Sequence, residues 1–241
     1  MQSAIKNPEK LIAAINDFAD FIKSKDGDRP ISFVDESSFL GSKEVEGYKM
    51  SVAKSAQDEL NFDEWEESWI NSGKILERCK KAVNRSDNLV SSYEKIRFKN
   101  IINPEHKNFN PRAERALYEI YKSKTADEEK AAFENATKNF GRHYALIAYL
   151  FFIKDPSRFL PVSPRNFDNI FSELSIEYKL ERYCSWENYM GFIKIVKEVL
   201  KVMQSQEDIF NVKELRLIDA HSFLWINHWR GKIPEWNKEH K

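Results

Sequence analysis

Glycine and proline are scarce, 7 and 8 in 241 residues, which excludes a fold built from many hairpins and any collagen-like or proline-rich tract. Cysteine is scarcer still. Cys79 and Cys184 cannot form a disulfide framework, and 241 residues are enough to bury a core without one. The N-terminus lacks an apolar leader core, so the expected compartment is the cytoplasm. The longest apolar run, Tyr144 to Ile153, is about half the length that crosses a bilayer, so no membrane partner is expected. His106, His143, His221, His228 and His240 fall in no metal-ligand spacing, so neither a metal nor a cofactor is expected. Excess charge is absent too. Lys plus Arg equals Asp plus Glu at 38 each, a balance that by itself favours neither polyanions nor polycations.

That neutral total is unevenly laid out. Residues 1–73 carry 8 basic and 15 acidic side chains, whereas residues 74–124 carry 13 basic and 6 acidic ones. Two readings stand: the basic middle docks on the acidic region or is a solvated face, or it meets an anionic partner.

Apolar residues recur at three and four positions almost throughout. This spacing predicts an all-α fold, a compact bundle of about nine to ten helices with room for two lobes and a cleft. Asn7-Pro8 is a cap followed by a first-turn proline, with Leu11, Ile15, Phe18 and Ile22 on one face of a helix ending at Asp26-Gly27. Residues 29–41 are the least helical: Pro30 to Val34 have the makings of a short strand, but with nothing evident to pair with them the stretch reads as an extended loop. From Tyr48 one helical pattern runs through Trp65, Trp69 and Cys79 to about Asn84, its acids early and its bases late as the helix dipole prefers. Asp87 is expected to cap a helix carrying Leu89, Tyr93 and Ile96. Helices over 111–122 and 125–140 follow, the second opened by the capping box Thr125 to Glu128. Residues 142–154 have almost no polar face and belong at the centre. Ser163-Pro164 opens a short helix, Ser185 caps a long one over 186–204, and Asp219 caps another from Ala220 to Trp229, with Pro234 ending any last helix. No linker declares a domain boundary; if one exists it falls near 110 or 140, the latter giving a helical region 1–140 with the basic middle and a module 141–241 carrying the site.

Chemistry concentrates in that second part. In Leu217-Ile218-Asp219-Ala220-His221-Ser222-Phe223-Leu224-Trp225, an acid and an imidazole lie two residues apart among side chains that must bury. Asp219 reads as a helix cap or a catalytic carboxylate, and the two are compatible. Arg158, Arg165, Asn166, Asp168, Trp186, Asn188, Tyr189, His221 and Trp225 gather near three helix starts, where free N–H groups suit a phosphate. The aromatics can stack a flipped base or fill a core; the arginines can hold phosphate or pair with Asp155 and Asp168.

Three stretches, Phe159-Leu160-Pro161-Val162-Ser163-Pro164-Arg165-Asn166-Phe167-Asp168, Cys184-Ser185-Trp186-Glu187-Asn188-Tyr189 and Leu217 to Trp225, together resemble a module of bacterial restriction and phage-defence proteins that act on DNA. Ile218-Asp219-Ala220-His221 also resembles the aspartate segment of helix-hairpin-helix DNA glycosylases. Combined, they are similar to phage-defence glycosylases that excise glucosylated hydroxymethylcytosine. Residues 199–212 contain no glycine, so the usual hairpin phosphate cradle is missing. Lys197 and Lys201 read as solvated helix residues rather than nucleophiles, so the resemblance implies a monofunctional glycosylase that needs no obligatory protein partner. Its substrate is double-stranded DNA with modified bases. Asp219 then stabilises the sugar cation. Trp186, Asn188, Tyr189, His221, Trp225 and Asn166 hold the flipped base, and Arg158, Arg165, Lys95, Arg97 and Lys99 hold phosphates.

Two other classes compete. A non-catalytic reader of modified DNA needs the same aromatics and arginines but no catalytic carboxylate. The spacing from Arg216 to His221 also resembles that of HEPN ribonucleases, all-α metal-free enzymes in which those two residues matter more than Asp219.

Overall fold

Asn7 and Pro8 do what their order demands. In the computed structural model, which describes residues 4–141, 143–180 and 183–230, Asn7 Oδ1 accepts the Lys10 N–H at 3.0 Å and α1 (Pro8–Asp26) follows. The all-α expectation holds, with ten α-helices among the described residues: α1, α2 (Tyr48–Leu60), α3 (Lys74–Asn84), α4 (Ser92–Ile102), α5 (Ala113–Lys122), α6 (Ala126–Phe140), α7 (Tyr144–Lys154), α8 (Pro164–Glu173), α9 (Trp186–Gln204) and α10 (Leu217–Trp229). The expected stop at Pro234 and the positions Arg142 and His240 lie outside the described residues. No described helix is long and apolar enough to cross a membrane.

The chain forms two compact units that interleave in sequence. One comprises Met1–Tyr48, Arg165–Leu180 and Phe192–Lys241; the other comprises Lys49–Pro164 and Glu181–Gly191. Residues 110 and 140 both lie in the second unit.

In the first unit, Leu11, Ile15, Phe18 and Ile22 of α1 are buried, and Phe18 meets Phe223 of α10 edge to face with centroids 5.1 Å apart. Phe167 of α8 meets Phe192 of α9 in the same way at 4.9 Å. Residues 28–47 form a turn-rich loop rather than a strand, pinned where the Asp26 carboxylate accepts the Phe39 N–H. Among the described residues only isolated bridges are made, Ile31 to Phe210 and Ile5 to Ile176. The loop packs so closely that a Cβ on Gly41 would lie 2.1 Å from the Asp35 carbonyl oxygen. Gly41→Ala should therefore destabilise the protein by about 2 kcal/mol, read as a lower urea midpoint with an unchanged slope.

In the second unit α7 is central: nine of its eleven residues are buried, as its lack of a polar face predicts. The Tyr149 hydroxyl on α7 donates to the Ala82 carbonyl of α3 at 2.9 Å. Glu114 of α5 supplies the cap that α3 lacks, accepting the N–H groups of Gly73 at 3.2 Å and Ile75 at 3.1 Å. The capping box at Thr125 is complete.

Two expectations need correction here. The single helix from Tyr48 to Asn84 is broken into α2, two short 3₁₀ turns and α3, because Asn61, Asn71 and Gly73 take left-handed backbone angles. Its early acids sit in those turns and not in the helix that carries the late bases. Ser91, not Asp87, caps α4: its Oγ accepts the Glu94 N–H at 3.3 Å, while Asp87 opens a separate 3₁₀ turn at positive φ. On α4 Phe98 and Ile102 turn inward, and Tyr93 and Ile96 are left at 69% and 58% exposure.

Candidate functional site

Arg216 has extended backbone, and α10 starts at the next residue. Asp219 is therefore the third residue of that helix, which corrects the expectation that it caps a helix from Ala220. Its Oδ2 accepts the Arg216 backbone N–H at 2.7 Å, so it stabilises the helix start by reaching back three residues. The Arg216 side chain closes the same ring, with Nε donating to Oδ2 at 3.1 Å and Nη2 to Oδ1 at 2.8 Å. Asp219 is 2% exposed, so one residue holds both of its oxygens. The cavity it lines with Ile31, Ser32, Phe33, Val34, Asn211, Glu214 and Leu215 measures about 10 Å³. That is room for roughly one water and none for a base. A guanidinium in bidentate contact also offsets the charge that a carboxylate would direct at a sugar cation.

Other predicted residues of this unit surround Phe167. Its ring lies 4.9 Å from that of His221 and 6.2 Å from that of Trp225, so α8 and α10 meet there. His221 is buried and Trp225 partly so. Asn166 is half-buried beside Phe167 in sequence. Arg165 is exposed and makes no ion pair among the described residues. The Asp168 carboxylate accepts the Leu180 N–H at 2.8 Å. With Ser172, Ile176, Glu177, Tyr178 and Lys179 it also lines an open cleft of about 590 Å³ that sequence reasoning did not foresee. A cleft formed by α8 and the loop after it leaves no periodic trace; only Asp168 had been singled out.

The remaining residues belong to the second unit, and most are structural. Trp186 sits among Phe133, Phe151 and Phe159 at centroid distances of 5.5, 5.9 and 6.2 Å. The Tyr189 hydroxyl is fully committed, donating to the Leu160 carbonyl at 2.7 Å and accepting the Leu160 N–H at 3.1 Å. Burial raises its pKa well above the ordinary phenol value. Tyr189→Phe should cost about 1–2 kcal/mol in urea unfolding and leave any nucleic-acid affinity unchanged. Asn188 Oδ1 accepts the Tyr144 hydroxyl.

Arg158 does not pair chiefly with Asp155. Its Nη1 and Nη2 donate to the two oxygens of Glu129 at 2.9 and 2.6 Å, while Asp155 is 3.9 Å away. Glu129 is 1% exposed and also receives Lys154 at 3.0 Å. It was missed because its partners lie 25 and 29 residues away and no local motif marks the pair.

On α4 the three predicted cations differ. The Lys95 ammonium donates to the Asp87 carbonyl, and burial lowers its pKa from the usual lysine value. Arg97 is exposed, Lys99 half-buried, and neither makes an ion pair among the described residues. Arg97 Nη2 would lie 3.0 Å from a Cβ on Gly141, whose φ of +86° also favours glycine. Beside it, burial first and then the Arg97 charge lower the His143 pKa below the ordinary imidazole value. No protein-family model, curated protein or solved structure matches this chain.

Proposed function

We propose that the protein is a non-catalytic reader of DNA carrying modified cytosine, used in defence against phage. The resemblance of the three C-terminal motifs supplies the substrate class. The observation that carries the non-catalytic reading is the state of Asp219: buried, held by Arg216 through both oxygens, and facing a cavity with space for about one water. A glycosidase carboxylate needs to face the anomeric carbon. Arg97, Lys99 and Arg165, which make no ion pair among the described residues, suit phosphate contacts. The open cleft at Asp168 offers two carboxylates, a hydroxyl and an aromatic ring, groups that match a hydroxyl-bearing substituent on the base.

Base excision is the second reading, and one observation favours it. The Arg216 side chain is 39% exposed, so a backbone phosphate reaching it can draw the guanidinium away and free the carboxylate. The ribonuclease reading gains no such help, since it requires His221 and Arg216 to be presented together. His221 is 3% exposed and lies against Phe167.

Gel retardation with plain, hydroxymethylated and glucosyl-hydroxymethylated cytosine duplexes tests the proposal. Tighter retention of modified duplex, with the preference lost in Glu177→Gln, is the expected result. Equal retention of all three, or none, overturns it.

A further inference from the structure

The three exposed side chains Tyr93, Ile96 and Arg97 lie on one face of α4. At about 100° per residue, positions 93, 96, 97 and 100 form one stripe, opposite the buried Phe98 and Ile102. The face is unusual on two counts. Tyr93 and Ile96 are 69% and 58% exposed, among the few large apolar side chains that the described residues leave open to solvent. Cations also flank them. Arg97 is one turn from Tyr93, Lys99 borders the stripe, and neither is neutralised by a carboxylate among the described residues. The single acid of the helix, Glu94, is turned back to Ser91 at the cap, with the Ser91 hydroxyl donating to Oε2 at 3.0 Å. The surrounding stretch, residues 74–124, carries 13 basic and 6 acidic side chains.

We infer that this face of α4 is a stacking platform for an unpaired segment of a nucleic-acid strand, with the Tyr93 ring and Ile96 against bases and Arg97 and Lys99 on the adjoining phosphates. An aromatic ring interleaved with cations is the chemistry that single strands use. Every base offers a π-face to the ring, and the phosphates follow the charge. An acidic protein surface would satisfy the cations but would leave the ring and the isoleucine without the flat apolar partner that a base supplies. This inference rests on the nucleic-acid reading above and extends it to Tyr93 and Ile96. Duplex opened around an extruded base presents such a segment.

Fluorescence anisotropy with a labelled oligothymidine strand, beside the same assay on modified duplex, tests it. Tyr93→Ala should weaken strand binding roughly tenfold and Tyr93→Phe should leave it near that of the parent, because the ring and not the hydroxyl makes the contact. Arg97→Ala should lower affinity and reduce the slope of log affinity against log salt by about 0.7. These side chains are exposed, so thermal melts of the variants should coincide with the parent. Strand affinity unchanged in Tyr93→Ala overturns the inference, as does an equal loss in Tyr93→Phe. Self-association of the parent that Tyr93→Ala abolishes also overturns it, since the face would then serve a second copy. If the parent retains modified duplex while the strand assay is insensitive to Tyr93, only this inference fails. If the parent binds neither, the reading it rests on fails with it.

Discussion

Glu129→Gln is expected to destabilise the protein by about 3–5 kcal/mol, the largest single effect among the polar side chains considered. Glu129 is 1% exposed and stands between two cations, Lys154 at 3.0 Å and Arg158 at 2.6 Å. Arg158 is half exposed and can turn to solvent. Lys154 cannot, because its side chain is only 9% exposed and its ammonium is already fixed by the carbonyl and hydroxyl of Ser123, both at 2.7 Å. Amide replacement therefore leaves a buried charge without a counter-ion, which costs far more than the pair is worth on balance.

The dependence on pH has a definite sign. Burial lowers the Lys154 pKa from the ordinary lysine value even with Glu129 present. A lysine whose folded pKa lies below its unfolded one disfavours folding while both states are protonated. That penalty fades as pH rises from the folded toward the unfolded pKa. The deficit of Glu129→Gln should accordingly narrow in alkaline solution, and Glu129→Gln combined with Lys154→Met should recover much of the loss at neutral pH. Urea midpoints at neutral and alkaline pH check both statements. A deficit that stays constant, or a double variant no better than the single, would show that the buried lysine is not the cause.

The second large effect concerns Arg216 and Asp219, and it is asymmetric. Arg216→Ala should cost about 3 kcal/mol because it strands a carboxylate that is 2% exposed. Asp219→Ala should cost less, about 2 kcal/mol, since the guanidinium it releases already reaches solvent and only the bond to the Arg216 N–H goes unmade. The double variant should be little worse than Arg216→Ala, as expected for residues that act as one unit. Calorimetric or urea stabilities of the three variants decide the matter. Asp219→Ala more stable than the parent would instead mark the carboxylate as a strained functional group.

Much of the helical layout was legible because it is written in local chemistry. Asn7 with Pro8, Thr125 with Glu128, and Ser185 each serve backbone N–H groups within about one turn, so the cap and the helix it opens are read together. The break between α2 and α3 was not legible from apolar spacing. Phe62, Trp65 and Trp69 continue the period while Asn61, Asn71 and Gly73 turn the chain by left-handed angles that the period does not sense. Asp219 shows a finer limit. An acid at the cap and an acid three residues into the helix both precede an apolar run, and only the bond to Arg216 tells them apart.

The candidate site was less legible than the fold, for a related reason. Trp186 and Tyr189 have side chains suited to holding a base, yet Phe133, Phe159 and the backbone of Leu160 from distant parts of the sequence claim them. Tyr93 and Ile96 show the reverse. Spacing groups them on one face but cannot say which face points inward, and here Phe98 and Ile102 on the other side take the core.

The central claim is that DNA is recognised without base excision. Its most direct test is incubation of glucosyl-hydroxymethylated duplex with excess protein under conditions where the duplex is bound, followed by heating in alkali to break any abasic site. Strands that remain intact although the complex forms are the predicted result. Breaks confined to modified DNA and lost in Asp219→Asn would contradict the account and make Asp219 the catalyst, released from Arg216 by the DNA itself.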